Sequence, residues 1–166
     1  MIKHAVIADA PLLDQMRDPG WKEHIEETVA RNIEIKRSFV LGDEKDQGKR
    51  QMLNFGHTIG HAIEAWSGFK LTHGQAVAIG MVMETRAARK LGFTDMNENE
   101  LIRVLEANHL PVTAAASADQ ILRFALHDKK RQNKGINVVI PRKTGQAELK
   151  TLDLEQFKQY IGAALI

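Results

Sequence analysis

From Thr72 to Gly92 the sequence carries an uninterrupted helical stretch with both of its ends marked. Thr72 and Gln75 form a T-x-x-Q capping box, in which each side chain accepts a hydrogen bond from the other residue's backbone N–H. His73 then falls at the first helical position, and Gly92 supplies the stop after Leu91. A helix of this length must bury a face against other elements. The rest of the chain reads as its partners.

Most of them are helical. The opening "IKHAVIADAPLLDQM" reads as a helix already under way, with no Ser, Thr, Asp or Asn before it to cap it, and suggests that the chain begins inside a larger protein. Trp21, Ile25, Val29 and Ile33 form an i, i+4 apolar stripe on a helix expected to end near Leu41, at Gly42. "DEKDQGK" is a charged connector. A helix is expected from about Lys49 to Trp66, punctuated by Gly68, with shorter ones over Asn97–Asn108 and Ala118–His127. The period then changes. "INVVIP" and "QAELKTL", separated by "RKTG", predict a hairpin, and a last helix covers Leu154–Leu165. The expected fold class is mainly α, a multi-helix domain over residues 1–166 with one small β-hairpin. There are no internal repeats and no Gly-rich phosphate-cradling loop.

Composition excludes several classes. Hydrophobic residues make up 43% of 166, enough for a core. The net charge of +2 is too small for a nucleic-acid footprint. The basic cluster "DKKRQNK" is local and suits a small anionic ligand. Cysteine is absent, so any transition metal needs His and carboxylate ligands. No apolar run spans a membrane and the start lacks signal-peptide architecture, which leaves a soluble, cytoplasmic protein acting on a small molecule as the expectation.

Three of the seven histidines, His57, His61 and His73, fall within "LNFGHTIGHAIEAWSGFKLTHG". His57 and His61 are spaced i, i+4, on one helical face. The spacing resembles that of metalloprotease helices, but Thr58 stands where those carry their general-base Glu. Spacing alone leaves a metal pair and two satisfied polar residues at a helix contact both open. His73 adds weight, because the positive end of a helix favours the neutral ring that a metal needs. Gly56 and Gly60 imply close approach of a backbone or a ligand. Arg50, Asn54, His57 and His61 follow one helical stripe, neither a solvated Lys/Glu face nor a core face, and this suits a pocket for a polyanionic or polyhydroxylated ligand. Met81 and Met83 read as core. Glu84 reads equally as a face-sharing carboxylate or a surface one.

"DEKDQGKRQMLNFGHTIGHAIE", "HGQAVAIGMVMETRAARKLG", "IKHAVIAD" and "DKK" together resemble the C-terminal helical domain of the 3-dehydroquinate synthase family. The resemblance implies a site for a divalent metal, zinc or cobalt, held by two His and one Glu. The matching histidines are His57 and His73. His61 is then a catalytic substrate-pocket residue near the phosphate. The Glu belongs to an E-x-I-K motif whose last two residues are Ile2 and Lys3, so it falls before Met1, and two of three protein ligands are expected in the chain. Lys3 matches the motif's catalytic lysine. Lys36 and Arg50 match cations that bind the substrate carboxylate. Asn54 matches a catalytic, substrate-contacting Asn, and Lys129 and Lys130 a basic segment near the phosphate. Gln75 and Asp46 both stand where the family usually has Glu.

The family converts 3-deoxy-D-arabino-heptulosonate 7-phosphate to 3-dehydroquinate and phosphate, in the shikimate route to aromatic amino acids. It uses NAD, bound mainly by an N-terminal domain that this sequence does not contain, and works as a homodimer. The resemblance implies that the 166 residues alone are inactive. Two other readings remain: a related deoxy-inosose or valiolone synthase, and a non-catalytic helical metal-binding module.

Overall fold

A computed structural model describes residues 1–126 and 135–165. Eight α-helices and one hairpin run in the order α1 (Ile2–Ala8), α2 (Ala10–Gln15), α3 (Ile25–Val40), α4 (His57–Trp66), α5 (His73–Lys90), α6 (Glu98–Ala107), α7 (Ala118–Ala125), β1 (Ile136–Lys143), β2 (Gln146–Leu152) and α8 (Leu154–Ala164) among the described residues. The mainly α fold with one antiparallel hairpin is as the sequence predicts.

α5 is the central element. Its Thr72–Gln75 capping box is formed: Thr72 N–H donates to Gln75 Oε1 at 2.9 Å, and Gln75 N–H to Thr72 Oγ1 at 3.4 Å. Twelve of its residues are buried, from Ala76 to Ala88, Met81 and Met83 among them. One side faces Ile59, Ile63, Ile121, Phe157 and Tyr160. The other faces Val6, Leu12, Leu13, Phe55, Leu101 and Leu105. With its exposed residues confined to its two ends, α5 is stable as a helix because other elements cover it.

Three elements differ from the sequence reading. The opening segment is two helices. Asp9 leaves the helical region (φ −154°) and its side chain accepts from Leu12 N–H at 3.1 Å, capping α2, where Pro11 fits the first turn because no N–H is needed there. The stretch before α3 is a 3₁₀ helix, Pro19–His24, and the apolar stripe beyond it faces out: Ile25, Val29 and Ile33 are 41%, 40% and 58% exposed. The buried positions of α3 are Thr28, Asn32 and Phe39. Asn32 Nδ2 donates to Thr28 O at 2.8 Å, so its Oδ1 faces His4 and accepts from Nδ1 at 3.0 Å, tying α3 to α1. Lastly, the expected helix from Lys49 to Trp66 is broken. Lys49–Asn54 is 3₁₀, and the chain turns at Gly56 (φ +78°) before α4 begins.

The broken helix has a cause on each side. Upstream, the Asp43 carboxylate accepts from the backbone N–H groups of Gln47, Gly48 and Arg50, each at 2.9 Å, and organises the charged connector into a fixed loop. Asp46 in that loop takes φ +54°, a conformation that Asp tolerates better than most residues. Downstream, Gly56 packs on α5: a Cβ there would lie 2.8 Å from Val77 O. A Cβ on Gly80 would lie 2.7 Å from Gly60 N and closer still to Gly56 O. The close approach read from "GHTIGH" is therefore that of a neighbouring helix backbone.

Candidate metal centre

α4 and α5 pack against each other in opposite directions, Gly56 against Val77 and Met81, Gly60 against Ala76 and Val77, and Glu64 against His73, and this brings the three histidines together. His57 opens α4, His61 lies one turn on, and His73 opens α5. Their ring centroids are 5.3 Å (57–61), 5.2 Å (57–73) and 5.5 Å (61–73) apart. One ring nitrogen from each lies within 4.8 Å of the others. Three nitrogens each about 2.0–2.1 Å from a tetrahedral zinc lie about 3.4 Å apart, so closure by about an ångström completes such a set. His61 and His73 are exposed.

Hydrogen bonds set two of the ring tautomers. His57 Nδ1 lies 3.1 Å from Phe55 O. A carbonyl only accepts, so Nδ1 carries the proton and Nε2 offers a lone pair. His73 Nδ1 lies 3.3 Å from Glu64 Oε2 and by the same logic carries a proton, so Nε2 is the nitrogen with the lone pair in the neutral ring. Carbonyl and carboxylate partners of this kind orient metal-binding imidazoles. Burial lowers the His57 pKa to about 4, with the Lys3 ammonium the next cause, which keeps the ring neutral and ready to coordinate. These residues fit a divalent ion.

The other expected site residues divide. Lys3, His57 and His73 line one cavity of about 380 Å³, which continues between Met16, Trp21, Val77 and Met81. Burial, and then the neighbouring Lys36, lower the Lys3 pKa to about 8. Lys36 lies exposed on α3. Arg50 and Asn54 do not share a helical stripe with His57 and His61, because the turn at Gly56 separates them: both sit on the 3₁₀ segment, where Arg50 Nη1 donates to Glu44 O at 3.0 Å. Lys129 and Lys130 lie outside the described residues.

Two acidic residues escape a reading by spacing. Glu64 is half-buried and orients His73; its signal is its position on α4, i+3 from His61 and i+7 from His57. Glu84 is fully buried, not a surface carboxylate. Its Oε2 accepts from Gly56 N–H at 2.9 Å and its Oε1 from Ile59 N–H at 3.2 Å. The signal for it is a lone Glu in the apolar run "AVAIGMVMETRAA".

The sequence profile described as "3-dehydroquinate synthase C-terminal" matches residues 1–131. The chain belongs to that family. A 3-dehydroquinate synthase of Streptococcus sanguinis is 37% identical over 97% of this chain and 48% of its own length. One from Lactococcus lactis subsp. cremoris is 39% identical over the same two shares. The chain thus spans about half the length of the curated relatives it matches. Among solved structures, a 2-epi-5-epi-valiolone synthase from Streptomyces hygroscopicus, with NAD+ and Zn2+ bound, superposes with a TM-score of 0.80 at 24% identity, over 98% of this chain and 47% of that one. A 2-deoxy-scyllo-inosose synthase, with carbaglucose-6-phosphate, NAD+ and Co2+, gives 0.75 at 21% identity, over 96% and 49%. At these identities the two structures show that the dehydroquinate synthase-like fold is shared. No described helix is long and apolar enough to cross a membrane.

Proposed function

We propose that this chain is the metal- and substrate-binding part of a 3-dehydroquinate synthase, which converts 3-deoxy-D-arabino-heptulosonate 7-phosphate to 3-dehydroquinate and inorganic phosphate. The observation that carries this reading is the meeting of three histidine rings, two of which, His57 and His73, are held at Nδ1 by oxygen acceptors. These two histidines hold the divalent ion, and His61 faces the substrate phosphate. When bound, the ion supplies Lewis acidity to a substrate hydroxyl and ketone, and NAD, held by a nucleotide-binding part outside these residues, supplies hydride transfer.

The chain's own groups bind and orient. Lys3 stands beside His57 at the mouth of the cavity, where a pKa near 8 leaves it a cation at neutral pH that gives up its proton more readily than an ordinary lysine. Lys36 adds positive charge next to it and, with Arg50, receives the substrate carboxylate; Arg suits that group because its donors match a carboxylate in pairs. Asn54, His61, Lys129 and Lys130 receive the phosphate. The apolar wall of Met16, Trp21 and Met81 excludes water from one side of the cavity. We place the protein in the cytoplasm, in the shikimate route, with the whole enzyme a homodimer.

The shared fold with valiolone and inosose synthases supports a second reading, a cyclase acting on a sugar phosphate without a carboxylate. Lys36 and Arg50 favour the carboxylate-bearing substrate. A substrate panel on the protein that joins this chain to its nucleotide-binding part separates the two. Release of phosphate from the heptulosonate 7-phosphate is expected. Turnover of glucose 6-phosphate in its place would overturn the assignment. The 166 residues alone, with NAD and zinc added, are expected to show no turnover.

A further inference from the structure

We propose that Glu84 is a positioning residue for the metal centre, its buried carboxylate capping α4 from the neighbouring helix and holding the turn that presents His57. α4 has no capping side chain of its own, because its N-cap is Gly56 in a left-handed turn. The first-turn N–H groups would be left without partners in a buried place, a cost of about 1–3 kcal/mol each. Glu84 takes two of them, Gly56 N–H at 2.9 Å and Ile59 N–H at 3.2 Å. These amides lie on either side of His57, so the carboxylate grips both ends of the short arc that carries the ring. On the near side of Gly56, Phe55 supplies the carbonyl that fixes the His57 tautomer. Glu84 is itself held in place, since Tyr160 Oη donates to its backbone carbonyl at 2.9 Å.

Packing does not account for a carboxylate here. Glu84 is 0% exposed and occupies a helix whose other buried residues, Thr85 apart, are apolar. A buried carboxylate is costly unless it is hydrogen-bonded or paired, and an apolar side chain of the same size avoids that cost. What the carboxylate adds is acceptance of two N–H groups and a negative charge at the positive end of α4. Both act on the backbone of His57, and through it on where Nε2 points.

This inference rests on the metal reading above, and its test separates the two. Zinc is titrated calorimetrically into the 166-residue chain and into Glu84→Gln, which keeps the shape but turns one acceptor into a donor. The expected result is zinc affinity about 10–100-fold weaker in the folded variant, the range seen when a group that orients a ligand is lost. Glu98→Gln is the matched control. Glu98 is also buried, but it pairs with Arg86 and Arg89, and this variant is expected to lose thermal stability with zinc affinity unchanged. Should Glu84→Gln fail to fold, Glu84→Asp takes its place, and weaker zinc binding by it supports the same conclusion. Wild-type affinity in the folded Glu84 variant would overturn the positioning role and leave the metal reading standing. No zinc binding by the unaltered chain would overturn both.

Discussion

A divalent ion needs a neutral imidazole with one bare nitrogen, and His57 meets both conditions before any ion arrives. Burial lowers its pKa to about 4, and His4, hydrogen-bonded to Asn32, is lowered as far by its own burial. An unfolded histidine titrates near 6.5, so between about pH 4 and 6.5 the unfolded chain binds more protons than the folded one. Stability therefore rises with pH across that window, is complete above it, and is lost on acidification. Urea midpoints of the metal-free chain at pH 7, 5.5 and 4.5 are expected to fall in that order, and His57→Asn to flatten part of the fall. A midpoint that stays level from pH 7 to 5 would show that neither ring is held neutral by its surroundings.

At the scale of elements, the crossing of α4 and α5 decides the geometry. A methyl group on Gly80 would meet the backbone of Gly56 and Gly60, which cannot yield as a flexible side chain does. Gly80→Ala is expected to destabilise the fold by about 3 kcal/mol, at the upper end of overpacking costs, and to weaken zinc binding by moving His57 away from His73. Denaturant unfolding and zinc titration read the two effects. On α3, Phe39 is buried and Ile33 is 58% exposed, so Phe39→Ala is expected to cost about 3 kcal/mol and Ile33→Asp within about 0.5 kcal/mol. Equal costs would put the apolar stripe in the core after all.

These elements also mark what the sequence could show. The α5 cap was legible because it is a contact among neighbours in the chain, and the spans of α6 and α8 were legible from local pattern. Core placement of Met81 and Met83 followed from local pattern too. The break at Gly56 was not legible, because its positive φ answers to Val77, Met81 and Gly80 on another helix. The α3 stripe has helical period but leaves Ile25, Val29 and Ile33 exposed, and periodicity cannot tell a covered face from a bare one. Glu84 was ambiguous for the same reason, since its partners lie on α4.

For the molecule as a whole, the residues from two helix ends that converge on one point carry the account. His57 and His73 come from separate helices, each with its Nδ1 hydrogen-bonded to an oxygen, beside a cavity lined by Lys3. Membership of the 3-dehydroquinate synthase family agrees with such a centre, and the relatives' greater length leaves room for the cofactor-binding part that the proposed reaction requires. Calorimetric titration of zinc into the purified chain, beside His57→Ala and His73→Ala, tests the claim most directly. One ion bound per chain, with binding abolished in either variant, is the predicted result. Stoichiometric binding that survives in either variant, or no binding to the unaltered chain, would contradict it.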